Sequence, residues 1–203
     1  MRAAPPDGAL DRKLEARYGL IAGVDEVGRG ALAGPVTVAA VILDPGRPVA
    51  GLDDSKRLSP RKRQRLAAEI LEKALCWTVA HRGPSEIDRL NILEATRAAM
   101  VDAVLALRQV PGLVVTDAVV LRGLPVAHRA EVHADARYRC VAAASILAKV
   151  TRDETMVRLA GDVPGYGWES NKGYPSPAHL EALRRLGPSE QHRRSFRPLR
   201  VLA

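Results

Sequence analysis

The chain has 203 residues, of which 47% are hydrophobic, so it is long enough for one domain with a substantial core and is not composed like a disordered protein. Its formal net charge of +8 favours a polyanionic partner such as nucleic acid. Aromatic residues make up only 3%, which is too few for an extended platform of base-stacking side chains.

The cysteine content and the lengths of the apolar runs bear on the compartment. Cys76 and Cys140 form neither a metal-binding spacing nor a disulfide framework. Residues 1–19 lack the apolar core of a signal peptide, and no run approaches the roughly 18 apolar residues that span a bilayer. We therefore expect a cytoplasmic protein with no membrane segment.

The most informative segment follows a short predicted N-terminal helix. Residues 20–24 are apolar and predict a buried strand that ends at Asp25 and Glu26. A Gly-Arg-Gly turn follows at 28–30, and a second strand is predicted over 36–43. Because neighbouring side chains of a strand point to opposite faces, the two acids require the chain to bend there, which the glycines permit.

Carboxylates beside exposed backbone amides and an arginine suit a hard metal ion and a phosphodiester. The alternative for this segment is a hairpin with a polar tip, because acidic and glycine-rich turns are common. The segment alone leaves both interpretations open.

The remaining elements alternate between helices and strands. Ser59 is a predicted N-cap, with Pro60 at the first helical position. The other predicted elements are a strand at 76–80, a helix at 91–108, a strand at 113–117, an extended segment at 126–133 and a long helix at 137–159.

This alternation predicts an α/β fold, with a mixed sheet flanked by helices. After about residue 161, the composition shifts towards Gly, Pro, Tyr and Trp, followed by a short helix at 178–186 and a basic tail at 192–200. We predict a main domain over residues 1–160 and a small C-terminal helical extension over 161–203 that docks on it.

Four acids fall where a sheet protein would place a site. Asp25 and Glu26 follow the first strand, Asp117 ends the strand at 113–117, and Asp135 precedes the long helix. Taken singly, Asp135 could be an N-cap and Asp117 a turn former. Clustered together, they would repel one another unless a cation lay among them. Two magnesium ions roughly 4 Å apart would neutralise them and could drive phosphodiester cleavage.

Two further loops carry usable side chains. Lys56 is either a phosphate contact or part of a solvated loop. Tyr174 lies between Gly173 and Pro175, in a rigid turn that would hold its ring either for stacking on a sugar or base or for packing beneath the loop.

The histidines offer no competing site, because none has paired metal-ligand spacing, and most are expected to be surface or packing residues. They are His81, His128, His133, His179 and His192.

Several long motifs, in order, resemble the bacterial ribonuclease HII family (type 2 ribonuclease H) over about residues 20–198. They are GVDEVGRGALAGPV, LDDSKRLS, NILEATRAAM, AAASILAKVTRDETM, NKGYPSPAH and HRRSFRP. The resemblance implies a ribonuclease H-like fold with a C-terminal helical extension. It also implies cleavage of the RNA strand of RNA–DNA hybrids and incision at single ribonucleotides in duplex DNA, with 3′-hydroxyl and 5′-phosphate products.

The resemblance also implies roles for residues at the matching positions. The metal-binding and catalytic acids are Asp25, Glu26, Asp117 and Asp135, which would hold two Mg²⁺ or Mn²⁺ ions, with Asp25 bridging them. The residues that read the ribose 2′-hydroxyl are Gly28, Arg29 and Gly30; Tyr174 senses the RNA–DNA junction, and Lys56 contacts a phosphate.

The chain departs from the family pattern at two positions, where alanine replaces a usual glycine. Ala118 follows the third acid and Ala134 precedes the fourth, so the backbone there is expected to differ slightly.

We expect a monomer. Two rival interpretations are a basic nucleic-acid-binding module without catalysis and a ribonuclease H that degrades hybrids but does not cut at single ribonucleotides.

Overall fold

The computed structural model describes residues 4–199; the end of the predicted basic tail, Arg200, lies outside the described residues. The five strands are β1 (Ile21–Val27), β2 (Val36–Ile42), β3 (Cys76–Arg82), β4 (Leu113–Asp117) and β5 (Ala127–Glu131). The seven α-helices of this part of the chain are α1 (Ala9–Tyr18), α2 (Pro60–Lys73), α3 (Pro84–Leu90), α4 (Ile92–Leu105), α5 (Arg139–Asp162), α6 (Trp168–Asn171) and α7 (Pro177–Leu186).

The strands form one mixed sheet in the order β3-β2-β1-β4-β5. β1 pairs antiparallel with β2 and β2 antiparallel with β3, whereas β1 with β4 and β4 with β5 are parallel. The predicted α/β fold with a helix-flanked mixed sheet is therefore confirmed.

The first strand is longer than its apolar run. The prediction ended it at the two acids, but β1 continues to Val27, because Asp25 and Glu26 pair with Ala39 and Val38 of β2. The chain leaves the strand after Val27, at Gly28, which has a φ of 92°, and turns at Arg29 and Gly30.

The helix boundaries also differ from the prediction at several points. Ser59 is the N-cap of α2 as predicted, and its hydroxyl accepts from the amide of Lys62 at 3.3 Å. The predicted helix at 91–108 is shorter, and α3 precedes it without having been predicted. The long helix begins at Arg139 and ends at Asp162, and α6 is a further unpredicted turn of helix.

Helices cover both faces of the sheet. α4 packs with β1 and β2 on one face, and α2 with α5 on the other. Because Ala142, Ala143 and Ala144 are small and fully buried, α5 lies close to the sheet. A Cβ on Gly23 would come within 2.1 Å of the Cys140 carbonyl carbon, so this contact requires glycine.

The segment after α5 packs on the main body through an apolar cluster. Trp168 and Leu183 of this segment lie against Leu32, Ala33 and Met156. The division of the chain at residue 160 stays a prediction. Within residues 4–199, no helix is both long and apolar enough to cross a membrane.

Candidate active site

The sheet brings two of the predicted acids to one edge. Val24 of β1 pairs in parallel with Thr116 of β4, so Asp25 and Asp117 follow at the next position of each strand. Glu26 is adjacent to Asp25 on β1. The third strand of this region, β5, leads directly into the segment that carries the fourth acid.

Asp135 lies in a 3₁₀ turn, Ala134–Ala136, between β5 and α5. The turn is fixed to β4, because the amide of Ala134 donates to Oδ1 of Asp117 at 3.1 Å. Asp135 is only 4% exposed, and it is not the N-cap of α5, a position that Tyr138 occupies. The alternative of an N-cap role for Asp135 is therefore wrong.

The four acids interact electrostatically in a closed ring, which we call the acid ring (Asp25, Glu26, Asp117 and Asp135). Burial, followed by the charges of Glu26 and Asp135, raises the pKa of Asp25 well above its ordinary value. Burial and then Asp117 raise the pKa of Asp135, and burial with Asp117 also raises that of Glu26, although Arg29 opposes the shift. The ring thus has more negative charge than its own surroundings stabilise.

Two basic side chains supply positive charge to the acid ring. Arg29 Nη1 lies 3.1 Å from Glu26 Oε1, and Lys56 Nζ lies 3.8 Å from Asp135 Oδ2. Burial alone would lower the pKa of Lys56, but the charges of Asp54 and of the three aspartates of the acid ring raise it above its ordinary value. Lys56 is 80% exposed in its side chain, so it can also reach a ligand. Asp54 is an additional acid whose charge acts on Lys56 and on Asp135.

The donor set fits a hard divalent cation. All four side chains offer carboxylate oxygens, which Mg²⁺ and Mn²⁺ prefer. Glu26 Oε2 is buried and has no hydrogen-bond partner among the described residues. Over residues 4–199, no three His, Cys, Asp or Glu side chains are arranged to hold one ion as they stand.

Two serines, Ser145 and Ser55, lie behind Asp25, and their contact was not predicted from the sequence. The hydroxyl of Ser145, on α5, hydrogen-bonds to Asp25, and its oxygen lies 2.9 Å from the hydroxyl of Ser55. Either hydroxyl of this pair can be the donor, because each carries one hydrogen and two lone pairs. Both serines lie within the motifs quoted above, but only the fold shows that these residues, 90 positions apart, are in contact.

The Gly-Arg-Gly turn follows Val27 directly. A Cβ on Gly28 would come within 2.1 Å of Arg152 Nε, and its φ is positive, so only glycine fits there. A Cβ on Gly30 would meet nothing within 4 Å, so the backbone at Gly30 is open to an approaching ligand. The exposed Arg29 side chain folds back onto Glu26.

The two alanines that replace family glycines differ in conformation. Ala118 adopts a left-handed conformation, with a φ of 55°, and its amide donates to the Glu131 carbonyl at 3.1 Å. Ala134 lies in the 3₁₀ turn, is fully buried and has no positive φ. Of the two replacements of glycine by alanine, only the one at Ala118 therefore strains the backbone.

The loop that carries Tyr174 is docked beside this turn. The carbonyl of Gly173 accepts from the amide of Leu32 at 2.8 Å, and a Cβ on Gly173 would come within 2.5 Å of the Ala33 oxygen. Tyr174 is partly exposed. The ring therefore lies on a loop held against the segment that leaves the Gly-Arg-Gly turn, and part of it is accessible from solvent.

Two buried histidines support the Tyr174 loop from below. His179 Nδ1 lies 2.9 Å from the Tyr174 carbonyl and must donate to it, so His179 Nε2 is an acceptor. It accepts from the indole N–H of Trp168 at 3.1 Å, and His192 Nε2 lies at the same distance from it. His192 Nδ1 in turn accepts from the amide of Ser189 at 3.0 Å. Both rings are thus neutral, and burial lowers the pKa of His179 and lowers that of His192 to about 4. His179 and His192 are therefore packing residues, as predicted.

Comparison with known proteins identifies the family of this chain. The family described as Ribonuclease HII matches residues 22–199. A curated Ribonuclease HII of Paracoccus denitrificans (strain Pd 1222) is 53% identical over 196 residues, which cover 96% of this chain and 93% of the relative.

Solved structures give the same result. The crystal structure of ribonuclease H2 from Pyrococcus horikoshii OT3 matches with a TM-score of 0.77 and 30% identity, covering 90% of this chain and 96% of that one. The ribonuclease HII in the PCNA complex from Archaeoglobus fulgidus matches with a TM-score of 0.74 and 28% identity, covering 88% and 95%. The chain belongs to the ribonuclease HII family of ribonuclease H endonucleases.

Proposed function

We propose that this endonuclease cleaves the RNA strand of RNA–DNA hybrids and incises at single ribonucleotides embedded in duplex DNA, leaving 3′-hydroxyl and 5′-phosphate ends. The main support for the proposal is the position of the acid ring beside the Gly-Arg-Gly turn. The backbone of this turn is open at Gly30, so a nucleic-acid backbone can approach it. The excess of basic residues over the whole chain suits a polyanionic substrate.

The acid ring would hold two Mg²⁺ or Mn²⁺ ions. Its carboxylates are mutually repulsive, and the buried Glu26 Oε2 lacks a partner among the described residues, so a cation would satisfy both. Bound there, the ions would activate water and stabilise the leaving 3′-oxygen. Ser145 would keep Asp25 oriented for this role through its hydrogen bond.

The chain's own residues would choose the substrate. Backbone amides of Gly28–Gly30 would hydrogen-bond the ribose 2′-hydroxyl, the group that locally separates RNA from DNA. A site built to bond a hydroxyl discriminates strongly against a sugar that lacks it. Lys56 would contact a phosphate, and Tyr174 would pack on the deoxyribose at the RNA-to-DNA step.

The two cysteines indicate the cellular compartment. Cys76 and Cys140 are both free and buried, which suits a reducing cytoplasm. We propose that the enzyme acts there as a monomer.

Three labelled duplexes test the proposal: all-DNA, a uniform RNA–DNA hybrid, and DNA with one ribonucleotide. With Mg²⁺, the hybrid and the one-ribonucleotide duplex should be cut and the all-DNA duplex should not. Cleavage of the hybrid alone would favour the rival interpretation of a ribonuclease H that does not act at single ribonucleotides.

A further inference from the structure

Arg152 is a fully buried side chain that touches both elements of the proposed specificity site. It lies on α5, and its guanidinium donates to three backbone carbonyls. These are Pro35 at 2.8 Å, Lys172 at 3.0 Å and Ala33 at 3.1 Å. Two of the three follow the Gly-Arg-Gly turn, and the third lies two residues before Tyr174.

The same guanidinium contacts the turn and the tyrosine directly. Its central carbon lies 5.4 Å from the centroid of the Tyr174 ring, within the range of a cation–π contact. Gly28 packs against its Nε so closely that an added methyl would come within 2.1 Å. One planar group thus sets the spacing between Gly28 and the Tyr174 ring.

Burial of the Arg152 charge costs free energy, because the guanidinium loses its hydration. Burial lowers the pKa of Arg152, and no salt bridge among residues 4–199 joins it to a carboxylate. The carbonyls match the rigid fork of arginine, which a lysine ammonium would not reproduce. An apolar side chain would fill this space without the desolvation penalty, so packing alone does not account for arginine here.

A second buried arginine holds the turn in a similar way. Arg193 is also fully buried, and its side chain donates to the carbonyls of Arg29 and Gly34, each at 3.0 Å. Arg193 fixes the turn itself but, among the described residues, makes no hydrogen bond to residues 172–175, whereas Arg152 bonds to both sides.

We propose that Arg152 is a positioning residue that holds the Tyr174 ring at a fixed distance from the Gly-Arg-Gly turn and so sets the preference for single ribonucleotides. The inference rests on the proposed function and deepens it. Arg152 itself does not contact the substrate, because its side chain has no exposed surface.

The test compares Arg152→Lys with wild type on the one-ribonucleotide duplex and the uniform hybrid. Lysine keeps the charge but loses the fork, so the ratio of kcat/KM on the two substrates should fall about 5- to 150-fold, the range for loss of one stacked aromatic. Arg158→Lys is the matched control. Arg158 is exposed on the same helix, and its hydrogen bond within the described residues is local, to Thr155, so the substitution should leave the ratio unchanged.

A double-mutant cycle separates positioning from general damage to the fold. If Arg152 acts through the tyrosine, Arg152→Lys should reduce the ratio no further in a Tyr174→Ala background. Thermal melting and Mg²⁺ titration of each variant show whether the fold and metal binding persist. Should Arg152→Lys fail to fold, Arg152→Met, which removes the buried charge, takes its place in the same cycle.

The outcomes distinguish this inference from the proposed function. A wild type that does not cut the one-ribonucleotide duplex would overturn both. A wild type whose preference depends on Tyr174 but not on Arg152, or independent effects of the two substitutions, would overturn the positioning role alone.

Discussion

The amide of Ala134 donates a 3.1 Å hydrogen bond to Oδ1 of Asp117, and this bond joins the turn that carries Asp135 to the end of β4. Two acids that are separated in the chain are thereby brought into one ring. An asparagine at position 117 would preserve the accepting oxygen and remove only the charge.

Asp117→Asn should therefore keep the fold and lose nearly all turnover, because a neutral amide is a poorer ligand for a hard cation. Wild-type turnover should vanish in EDTA and return with Mg²⁺ or Mn²⁺. The control is Asp44→Asn, whose carboxylate likewise accepts one backbone amide, from Gly46 at 2.8 Å, but lies outside the acid ring; it should retain activity. Near-wild-type turnover of Asp117→Asn at saturating Mg²⁺ would refute the two-ion assignment.

Lys56 should contribute one phosphate contact. Its side chain is exposed and lies next to Asp135, so Lys56→Ala should weaken binding to all duplexes alike. The slope of log affinity against log salt should flatten by about one unit. Lys13→Ala, at an exposed position on α1, should leave the slope as in wild type. An unchanged slope for Lys56→Ala would remove Lys56 from the phosphate contacts.

The left-handed conformation of Ala118 predicts a stabilising substitution. Ala118 is exposed, so glycine would lose little packing and would relieve the strain of a positive φ. We expect Ala118→Gly to raise the free energy of unfolding by about 1 kcal/mol, after subtraction of the extra freedom of glycine in the unfolded chain. Ala134→Gly, at a buried position without positive φ, should instead be destabilising. Urea denaturation of both variants measures the difference, and destabilisation by Ala118→Gly would show that the alanine is unstrained.

The buried histidine pair predicts a pH dependence of stability. The folded pKa of His192 is about 4, below its ordinary value of 6.5, so the unfolded state takes up the proton first as the pH falls. The stability that neutral His192 contributes is complete above about pH 6.5 and is lost on going down to about pH 4. The change is on the order of 3 kcal/mol at most.

His192→Gln keeps one donor and one acceptor but does not titrate in this range. The free energy of unfolding, measured by urea denaturation across this pH interval, should fall less steeply for the variant than for wild type. Profiles of equal steepness would mean that His192 is not held neutral by the fold.

The four acids could be singled out from the sequence because they lie in continuous motifs, and their roles stay predictions. The mixed sheet was predicted from alternating elements and is confirmed. The predicted end of β1 was too early. Asp25 and Glu26 belong to the strand because they pair with β2, and a local apolar run does not reveal that partner strand. The beginning of α5 was also misplaced. Its first amides, those of Arg139 and Cys140, donate to Asp11, at least 128 positions away, at 3.0 Å each. Such long-range partners, including Arg152 and the two serines, follow from the fold and not from spacing.

We propose that the Gly-Arg-Gly turn and Tyr174 together read an RNA-to-DNA step. The most direct test is the initial rate of cleavage of a one-ribonucleotide duplex by wild type and by Tyr174→Ala, beside Mg²⁺ titration and thermal melting of both proteins. Loss of one aromatic stack costs about 1–3 kcal/mol, so the rate should fall roughly 5- to 150-fold while metal binding and stability change little. A variant that cuts this duplex as fast as wild type would contradict the account and make Tyr174 a packing residue.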